Sequence, residues 1–233
     1  MRKLWAFGDS HIAGSGLANY SHDEVVDWLL ENTGFSNFDE YNKSIDFDMK
    51  VAELLLQKWN KFCKNKDYPE NSYAGKISSI LNYKLVSLAI PGSGIDYSFK
   101  EIQKNEHKIK WDKDIVLLNL PPVYRYTSNI GQRMQYALMD KRHYLIAPSL
   151  KTMEDMYVAM YFYIKTYYPK IKIIHITDTS VYNDKLQNIC LGDNTVYVDN
   201  HRSKFANAKT PCGHWIKELH EIFAKELIED LKL

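Results

Sequence analysis

The sequence contains few cysteines, and those present lack the spacing that a thiolate metal site requires. The three are Cys63, Cys190 and Cys212, and none of them forms a closely spaced pair of the kind that binds zinc. An odd and sparse set of cysteines is typical of a reducing compartment. We therefore expect neither a disulfide nor a metal site in this chain.

Long apolar runs and an excess of either charge are also missing. After two basic residues, the first apolar run covers only Leu4 to Phe7, which is too short for a signal peptide or a membrane span. Lys plus Arg number 30 and Asp plus Glu number 29, so no overall field attracts nucleic acid or an acidic membrane. We expect a cytoplasmic protein that binds neither nucleic acid nor membranes.

Short apolar segments alternate with longer amphipathic ones, which is the pattern of βα units around a parallel sheet. The predicted strands are Lys3–Phe7, Lys84–Ala89, Asp114–Asn119, Ile171–Ile176 and Thr195–Val198. The predicted helices are Asp48–Phe62, Tyr73–Leu81, Tyr97–Glu106, Met153–Tyr168 and Trp215–Leu231. The alternation predicts an α/β fold in one domain that spans residues 1–233.

Two segments interrupt the alternation, at about residues 32–45 and 124–149. The second is polar, carries tyrosines and follows the third predicted strand, so it would lie beside any site at the end of that strand. It is either a lid or partner-binding surface, or a helical ornament that fills a groove. We interpret both segments as insertions into the single domain.

The first predicted strand ends in Gly8-Asp9-Ser10 and leads into a helix. In α/β proteins the carboxyl ends of parallel strands hold the ligand site, and the N–H groups that begin the next helix face the same place. Ser10 is therefore expected where a nucleophile and an oxyanion could be held. The sequence around it has no Gly-Lys-Ser/Thr or Gly-x-Gly-x-x-Gly motif, which argues against a nucleotide site.

Two further blocks follow in order, Ala89-Ile90-Pro91-Gly92-Ser93-Gly94 after the second strand and Gly213-His214, with His220, at the last helix. Together with Gly8-Asp9-Ser10 they resemble the SGNH (GDSL-like) hydrolases, especially small members from bacteriophage and marine bacterial genomes. The resemblance implies a three-layer α/β/α sandwich of flavodoxin-like type with a mainly parallel central sheet. It implies hydrolysis of esters without a metal or cofactor, with Ser10 as nucleophile, His214 as base, and the N–H groups of Ser10 and Gly92 as the oxyanion hole.

The chain departs from the family pattern at two positions. Members usually carry the triad aspartate three residues before the base, where this chain has Pro211. They carry an oxyanion-donating asparagine in the third block, where this chain has Pro121. Asn119, two residues earlier on the same side of the strand, reaches the oxyanion hole only if the strand end bends. Arg125 could supply positive charge to an oxyanion or an anionic substrate, or lie exposed on the surface.

The other polar residues near these blocks have simpler interpretations. Asp9 is expected to cap the helix that begins at Ser10, and His220 to pack or make a structural hydrogen bond. His11 is a poor base for Ser10 and is expected to face solvent or substrate. Cys212 is too near His214 in sequence to form a nucleophile and base pair with it. The aspartates that could replace the missing triad acid are Asp178, Asp193 and Asp199, and nothing in the sequence selects among them.

The leading hypothesis is a serine esterase that cleaves a small acyl ester, such as an O-acetylated carbohydrate, through Ser10 and His214. The substitutions at Pro211 and Pro121 favour an alternative, a catalytically weak or silent relative that serves as a binding or assembly protein. Such a protein could be a phage structural component that contacts glycan or protein, and it would then lie in the virion. Neither hypothesis determines the oligomeric state.

Overall fold

The computed structural model describes residues 1–14, 16–37, 39–40, 58, 61–62, 68–121, 125–127, 133–135, 150–177, 195–199 and 215–233. The strands are β1 (Lys3–Phe7), β2 (Lys84–Ser87), β3 (Ile115–Leu120), β4 (Arg125–Thr127), β5 (Arg133–Gln135), β6 (Lys172–Thr177) and β7 (Thr195–Asp199). The helices are α1 (Ser10–Ala13), α2 (His22–Thr33), α3 (Tyr73–Ile80), α4 (Ile95–Asn105), α5 (Leu150–Tyr167) and α6 (Lys217–Asp230). Short 3-10 helices cover Gly16–Asn19 and Glu106–Lys108.

Five strands form one parallel sheet in the order β2-β1-β3-β6-β7, and β4 pairs with β5 as a separate antiparallel ribbon. Leu4 of β1 pairs with Leu85 on one side and Ile115 on the other. The chain moves from β1 to β2 on one side and then crosses to β3 on the other. The carboxyl ends of β1 and β3 therefore flank the topological switch point, where open α/β sheets bind ligands.

Helices cover both faces of the sheet because each central strand is apolar on both sides. Leu4 and Ala6 of β1 and Leu117 of β3 pack in one core with α2, α3 and α6. Trp5 and Phe7 belong to a second core with α4 and α5 on the opposite face. Successive strand residues alternate between the two faces, as the pleat requires. The predicted α/β architecture is confirmed as three layers.

Helix α2 (His22–Thr33) was not among the predicted helices, although its amino end carries a recognisable signal. Ser21 caps the helix, accepting from the N–H of Glu24 at 3.3 Å, and the Glu24 carboxylate accepts from the N–H of Ser21 at 2.8 Å. This Ser-x-x-Glu capping box satisfies two N–H groups that the helix leaves open. Val25 and Leu29, four residues apart, are the buried side chains that dock the helix.

The predicted strand β1 matches the structure at both ends, and the other strands of the sheet agree within two residues. The predicted helix Asp48–Phe62 lies outside the described residues except for residues 58, 61 and 62. Residues 38 and 41–45 of the first predicted insertion lie outside them as well, and so does most of the second, so the single-domain organisation stays a prediction. Within the described ranges, no helix is long and apolar enough to cross a membrane.

Candidate active site

Ser10 is the first residue of α1 and follows the carboxyl end of β1 after only two residues. Asp9 is the N-cap, and its Oδ1 accepts a hydrogen bond from the N–H of His11 at 3.2 Å. The predicted capping role of Asp9 is confirmed. Asp9 is 2% exposed and Ser10 is 4% exposed, so the turn is held inside the protein at the switch point.

Gly8 allows this turn to pass close to the neighbouring strand. Its φ of 135° is one that side-chain-bearing residues rarely adopt, and an added Cβ would lie 2.5 Å from the carbonyl oxygen of Asn119. Gly8 also receives two hydrogen bonds at its carbonyl, from the N–H of Ile90 at 3.1 Å and the Oγ of Ser93 at 3.0 Å. The glycine thus joins the serine turn to β3 on one side and to the segment after β2 on the other.

The segment after β2 turns at Pro91 and Gly92. The N–H of Ser93 donates to the carbonyl of Ile90 at 3.1 Å, which closes a four-residue turn, and Gly92 has φ of 74°. Proline second and a positive-φ glycine third are the residues of a type II turn. The turn therefore favours glycine at position 92 for its conformation, in addition to its predicted part in the oxyanion hole. Because Ser93 is anchored to Gly8, the turn lies beside the segment that carries Ser10.

A series of buried, hydrogen-bonded polar side chains holds Asp9 in place. The amide nitrogen of Asn119 donates to Asp9 Oδ1 at 2.9 Å, and the hydroxyl of Tyr73 donates to Asn119 Oδ1 at 2.9 Å. Asn119 is 1% exposed and Tyr73 is fully buried. Burial, together with the nearby charge of Asp9, raises the pKa of Tyr73 well above its ordinary value, so the hydroxyl keeps its proton and donates.

These contacts assign Asn119 a bridging position between Asp9 and Tyr73. One amide N–H is given to Asp9 and the carbonyl oxygen is occupied by Tyr73. A part for Asn119 in the oxyanion hole stays a prediction. Pro121, which stands where the family has its donor asparagine, is buried, and its carbonyl accepts from the Tyr157 hydroxyl at 3.0 Å.

The start of α6 (Lys217–Asp230) packs against the serine turn through aromatic rings. The indole of Trp215 lies 5.1 Å from the imidazole of His11 between centroids and 6.2 Å from the ring of Tyr73. Nδ1 of His220, a residue 1% exposed, accepts from the backbone N–H of Tyr73 at 3.1 Å. The predicted structural hydrogen bond of His220 is confirmed. His11 is half-buried against Trp215, so its predicted contact with substrate stays a prediction.

The remaining predicted site residues are beyond the described part of the chain or are described by backbone only. His214, Pro211, Cys212, Asp178 and Asp193 lie outside the described residues. Arg125 falls in β4 and Asp199 in β7, where the structure describes the backbone. Among the described residues, no group of three His, Cys, Asp or Glu side chains could hold a metal ion.

Two described residues, His175 at the carboxyl end of β6 and Tyr73 at the start of α3, were given no part in the site by the sequence analysis. His175 is 7% exposed near the carboxyl end of β6 and pairs in register with Leu120, and burial lowers the pKa of its imidazole from 6.5 to about 4. Tyr73 was predicted only as the start of a helix. A histidine inside an apolar strand is a signal that sequence analysis can use, whereas the partner of Tyr73 depends on the fold.

Comparison with known proteins shows the fold and no closer kinship. No family model matches the sequence, and no curated protein matches it. A carbohydrate esterase whose active site displays divergent catalytic and non-catalytic binding functions is similar in structure, with a TM-score of 0.51 and 11% identity. The match covers 99% of this chain and 68% of that esterase. A candidate GDSL-like lipase from Bacteroides uniformis gives a TM-score of 0.48 at 14% identity, over 99% of this chain and 96% of its own.

The predicted α/β/α sandwich is confirmed by the parallel sheet, and the chain shares this fold with the carbohydrate esterase. At this level of identity the similarity concerns the fold alone. The chemistry of the site must therefore be argued from its own residues.

Proposed function

We propose that this protein is a serine ester hydrolase of the SGNH type that removes small acyl groups, with O-acetylated carbohydrate as its substrate class. The observation that carries the proposal is the placement of Ser10. It begins a helix at the topological switch point, and its turn is anchored through Asp9 to the buried Asn119. A serine that served only as a helix cap would stand at the position of Asp9, not one residue later.

The backbone around Ser10 supports an oxyanion hole. Within the described residues, neither the N–H of Ser10 nor that of Gly92 donates a hydrogen bond. Ser93 ties the Gly92 turn to the carbonyl of Gly8, two residues before Ser10. Two backbone N–H groups on rigid turns can stabilise a developing oxyanion without reorganisation, and one such donor is typically worth about 10² to 10³ in kcat.

His214 is the base in this proposal, and its support comes from the neighbouring residue. Trp215 contacts His11, the residue that follows Ser10. Because His214 directly precedes Trp215 in the sequence, this contact supports the choice of His214 as the base. Since Pro211 stands where the family carries its acid, the proposal assigns the orientation of the imidazole to a backbone carbonyl. Loss of a triad acid costs on the order of 10⁴ in kcat, so we expect slow turnover.

The proposed reaction has two steps. Ser10 Oγ attacks the acyl carbon while its proton passes to His214, and the tetrahedral oxyanion accepts from the N–H groups of Ser10 and Gly92. Collapse breaks the ester bond, and the leaving alkoxide takes the proton from His214. Water then gives a proton to His214 and attacks the acyl-serine. Collapse of this second tetrahedral intermediate releases the carboxylic acid, and Ser10 Oγ takes the proton back from His214.

The similarity to a carbohydrate esterase supports carbohydrate as the substrate class. The test is acetate release from acetylated xylo-oligosaccharides, compared among wild type, Ser10→Ala and Ser98→Ala. Ser98 is a buried serine in α4 and provides a matched control. Acetate release that is lost in Ser10→Ala alone supports the proposal. Release that persists in Ser10→Ala contradicts it.

The alternative, a catalytically silent binding protein with the same fold, is favoured by one specific observation. Asn119, the nearest amide that could replace the missing oxyanion donor, is engaged with Asp9 and Tyr73. In this case the wild-type protein would bind acetylated oligosaccharides without releasing acetate, and Ser10→Ala would bind them equally well.

A further inference from the structure

A pocket opens at the amino-terminal edge of the sheet, opposite the end that carries Ser10. Its volume is about 360 Å³, which is within the range of small-ligand sites. The side chains that the following argument uses are Arg2, Tyr83, Trp111, Lys113, Lys170 and Lys172. Arg2 precedes β1 and Ser10 follows it. At about 3.3 Å per strand residue, the pocket and Ser10 are therefore roughly 20 Å apart.

The pocket has a positive balance of charge. Arg2, Lys113, Lys170 and Lys172 contribute cations, and Asp112 and Asp114 contribute carboxylates. Both carboxylate oxygens of Asp114 already accept hydrogen bonds from the protein. Its Oδ1 accepts from the N–H of Lys3 at 3.0 Å, and its Oδ2 accepts from the Trp5 indole at 3.0 Å and the N–H of Lys110 at 3.1 Å. The four cations outnumber the two carboxylates, and Asp112 is the carboxylate whose oxygens the contacts above do not occupy.

The ammonium of Lys172 is one of these positive charges, and it is partly removed from water. It is half-buried at the first position of β6, and burial lowers the pKa of its ammonium. A bound anion would stabilise the charged form. Arg2 is kept beside the pocket by a 3.1 Å hydrogen bond to the Tyr83 hydroxyl, so its guanidinium is oriented in advance.

Aromatic rings lead away from the pocket along one side. Trp111 stacks on Tyr168 with centroids 5.5 Å apart and planes at 17°. Tyr163 lies 6.4 Å from Tyr168 and stacks on Tyr167 at 4.2 Å. Tyr163 is 38% exposed and Tyr167 is 64% exposed. Trp111, Tyr163 and Tyr167 expose parts of their rings around the buried Tyr168 and form an aromatic surface that continues from the pocket onto α5. Partly exposed rings of this kind accept the apolar C–H face of a sugar ring.

Mixed charge and aromatic rings together favour one class of ligand over another. A single-stranded DNA also uses cations and stacking, and it carries one negative charge per unit as an acidic oligosaccharide does, but its backbone has no hydroxyl groups to donate to a carboxylate such as Asp112. Each residue of an acidic oligosaccharide adds hydroxyl groups that can donate to that carboxylate. Such an oligosaccharide matches both charges of the pocket and the adjacent rings.

We propose that the amino-edge pocket binds an acidic oligosaccharide, with a sugar carboxylate held by Arg2, Lys170 and Lys172 and sugar rings packed on Trp111 and the aromatic surface. The site is separate from Ser10 and does not depend on chemistry there. A charged glycan would be bound at the amino end of the sheet. The carboxyl end, which carries Ser10, would face the remainder of that glycan or a second glycan molecule.

The test is calorimetric titration of the full-length protein with hexagalacturonate, with neutral xylohexaose and (dT)₆ as comparison ligands. The variants are Lys170→Gln/Lys172→Gln, Trp111→Leu and, as a matched control, Lys225→Gln on the exposed side of α6. Because each lysine is proposed to make a charge-assisted hydrogen bond to the sugar carboxylate, the double lysine variant should weaken binding of hexagalacturonate at least tenfold. Lys225→Gln and Ser10→Ala should bind as wild type does.

Each outcome decides the proposal. Saturable binding of hexagalacturonate that is weakened by both lysine substitutions, in a variant whose thermal midpoint is unchanged, supports it. Trp111→Leu provides a second measurement, since loss of the ring should weaken xylohexaose and hexagalacturonate alike. Absence of binding at millimolar ligand, equal binding by the lysine variant, or tighter binding of (dT)₆ overturns it. Retained binding in Ser10→Ala separates this site from the proposed esterase.

Discussion

The imidazole of His11 packs against the indole of Trp215, with ring centroids 5.1 Å apart and planes at 57°. These two residues come from opposite ends of the chain, and each is adjacent in sequence to a residue of the proposed dyad. The contact joins the first helix of the fold to the start of the last. It supports the proposal that Ser10 and His214 belong to one site.

The bridge from Tyr73 through Asn119 to Asp9 predicts a strong coupling between two substitutions. Asn119→Ala leaves the Tyr73 hydroxyl buried without this acceptor and removes one of the hydrogen bonds to Asp9, and an unpaired buried group costs about 1–3 kcal/mol of unfolding free energy. Tyr73→Phe removes that hydroxyl, so part of its cost should vanish when Asn119 is already Ala. We expect a coupling energy of about 1 kcal/mol in a double-mutant cycle measured by urea unfolding. Additive effects would show that the bridge does not form.

Gly8 and Gly34 provide a matched pair for testing the packing of the serine turn. Both have positive φ, but a Cβ at Gly8 would lie 2.5 Å from the carbonyl of Asn119, whereas a Cβ at Gly34 meets nothing within 4 Å. Gly34→Ala should cost about 1–2 kcal/mol, the conformational penalty alone. Gly8→Ala should cost more because the backbone of β3 must also move. Equal losses of stability in the two variants would contradict the close approach of Gly8 to Asn119.

His175 predicts a loss of stability in acid. Burial lowers the pKa of its imidazole from 6.5 to about 4, so between these values the unfolded chain binds a proton that the folded chain does not. The stability contributed by neutral His175 is present above pH 6.5 and is lost as the pH falls towards 4. At about 1.4 kcal/mol per pKa unit, the loss amounts to about 3 kcal/mol.

The measurement is urea unfolding of wild type and His175→Asn at several values between pH 7 and pH 4, with His22→Asn as the exposed control. The wild type and the His22 variant should lose stability more steeply than the His175 variant. Parallel pH profiles for all three proteins would show that His175 titrates at its ordinary pKa in the folded state.

The sheet and the serine turn could be predicted from the sequence because they depend on local pattern. Apolar runs such as Lys3–Phe7 and the Gly8-Asp9-Ser10 turn carry their own signals, and the capping role of Asp9 follows from its position before a helix. Helix α2 was missed although its capping box was present, since only Val25 and Leu29 mark its buried face.

The buried hydrogen bonds that link Tyr73, Asn119 and Asp9 could not be predicted in the same way. The sequence analysis considered Asn119 as a substitute donor to the oxyanion, but its partners in the structure, Asp9 and Tyr73, lie 110 and 46 residues away. Contacts at such separations depend on which strands are adjacent and on the register between them. The pocket at the amino-terminal edge of the sheet also depends on the fold, because only the order of the strands brings Arg2, Trp111 and Lys172 together.

The most direct test of the central claim is covalent labelling of Ser10 by a fluorophosphonate, followed by intact mass and by peptide mapping. The probe reacts with an activated serine whatever the natural ester, so it separates the chemistry from the choice of substrate. Wild type is compared with Ser10→Ala, His214→Ala and the control Ser98→Ala, all verified as folded by circular dichroism. A single adduct on Ser10 in wild type and Ser98→Ala, absent from the other two, is the predicted result. Folded wild type that remains unlabelled, or an adduct that persists in His214→Ala at the wild-type rate, would contradict the proposed dyad.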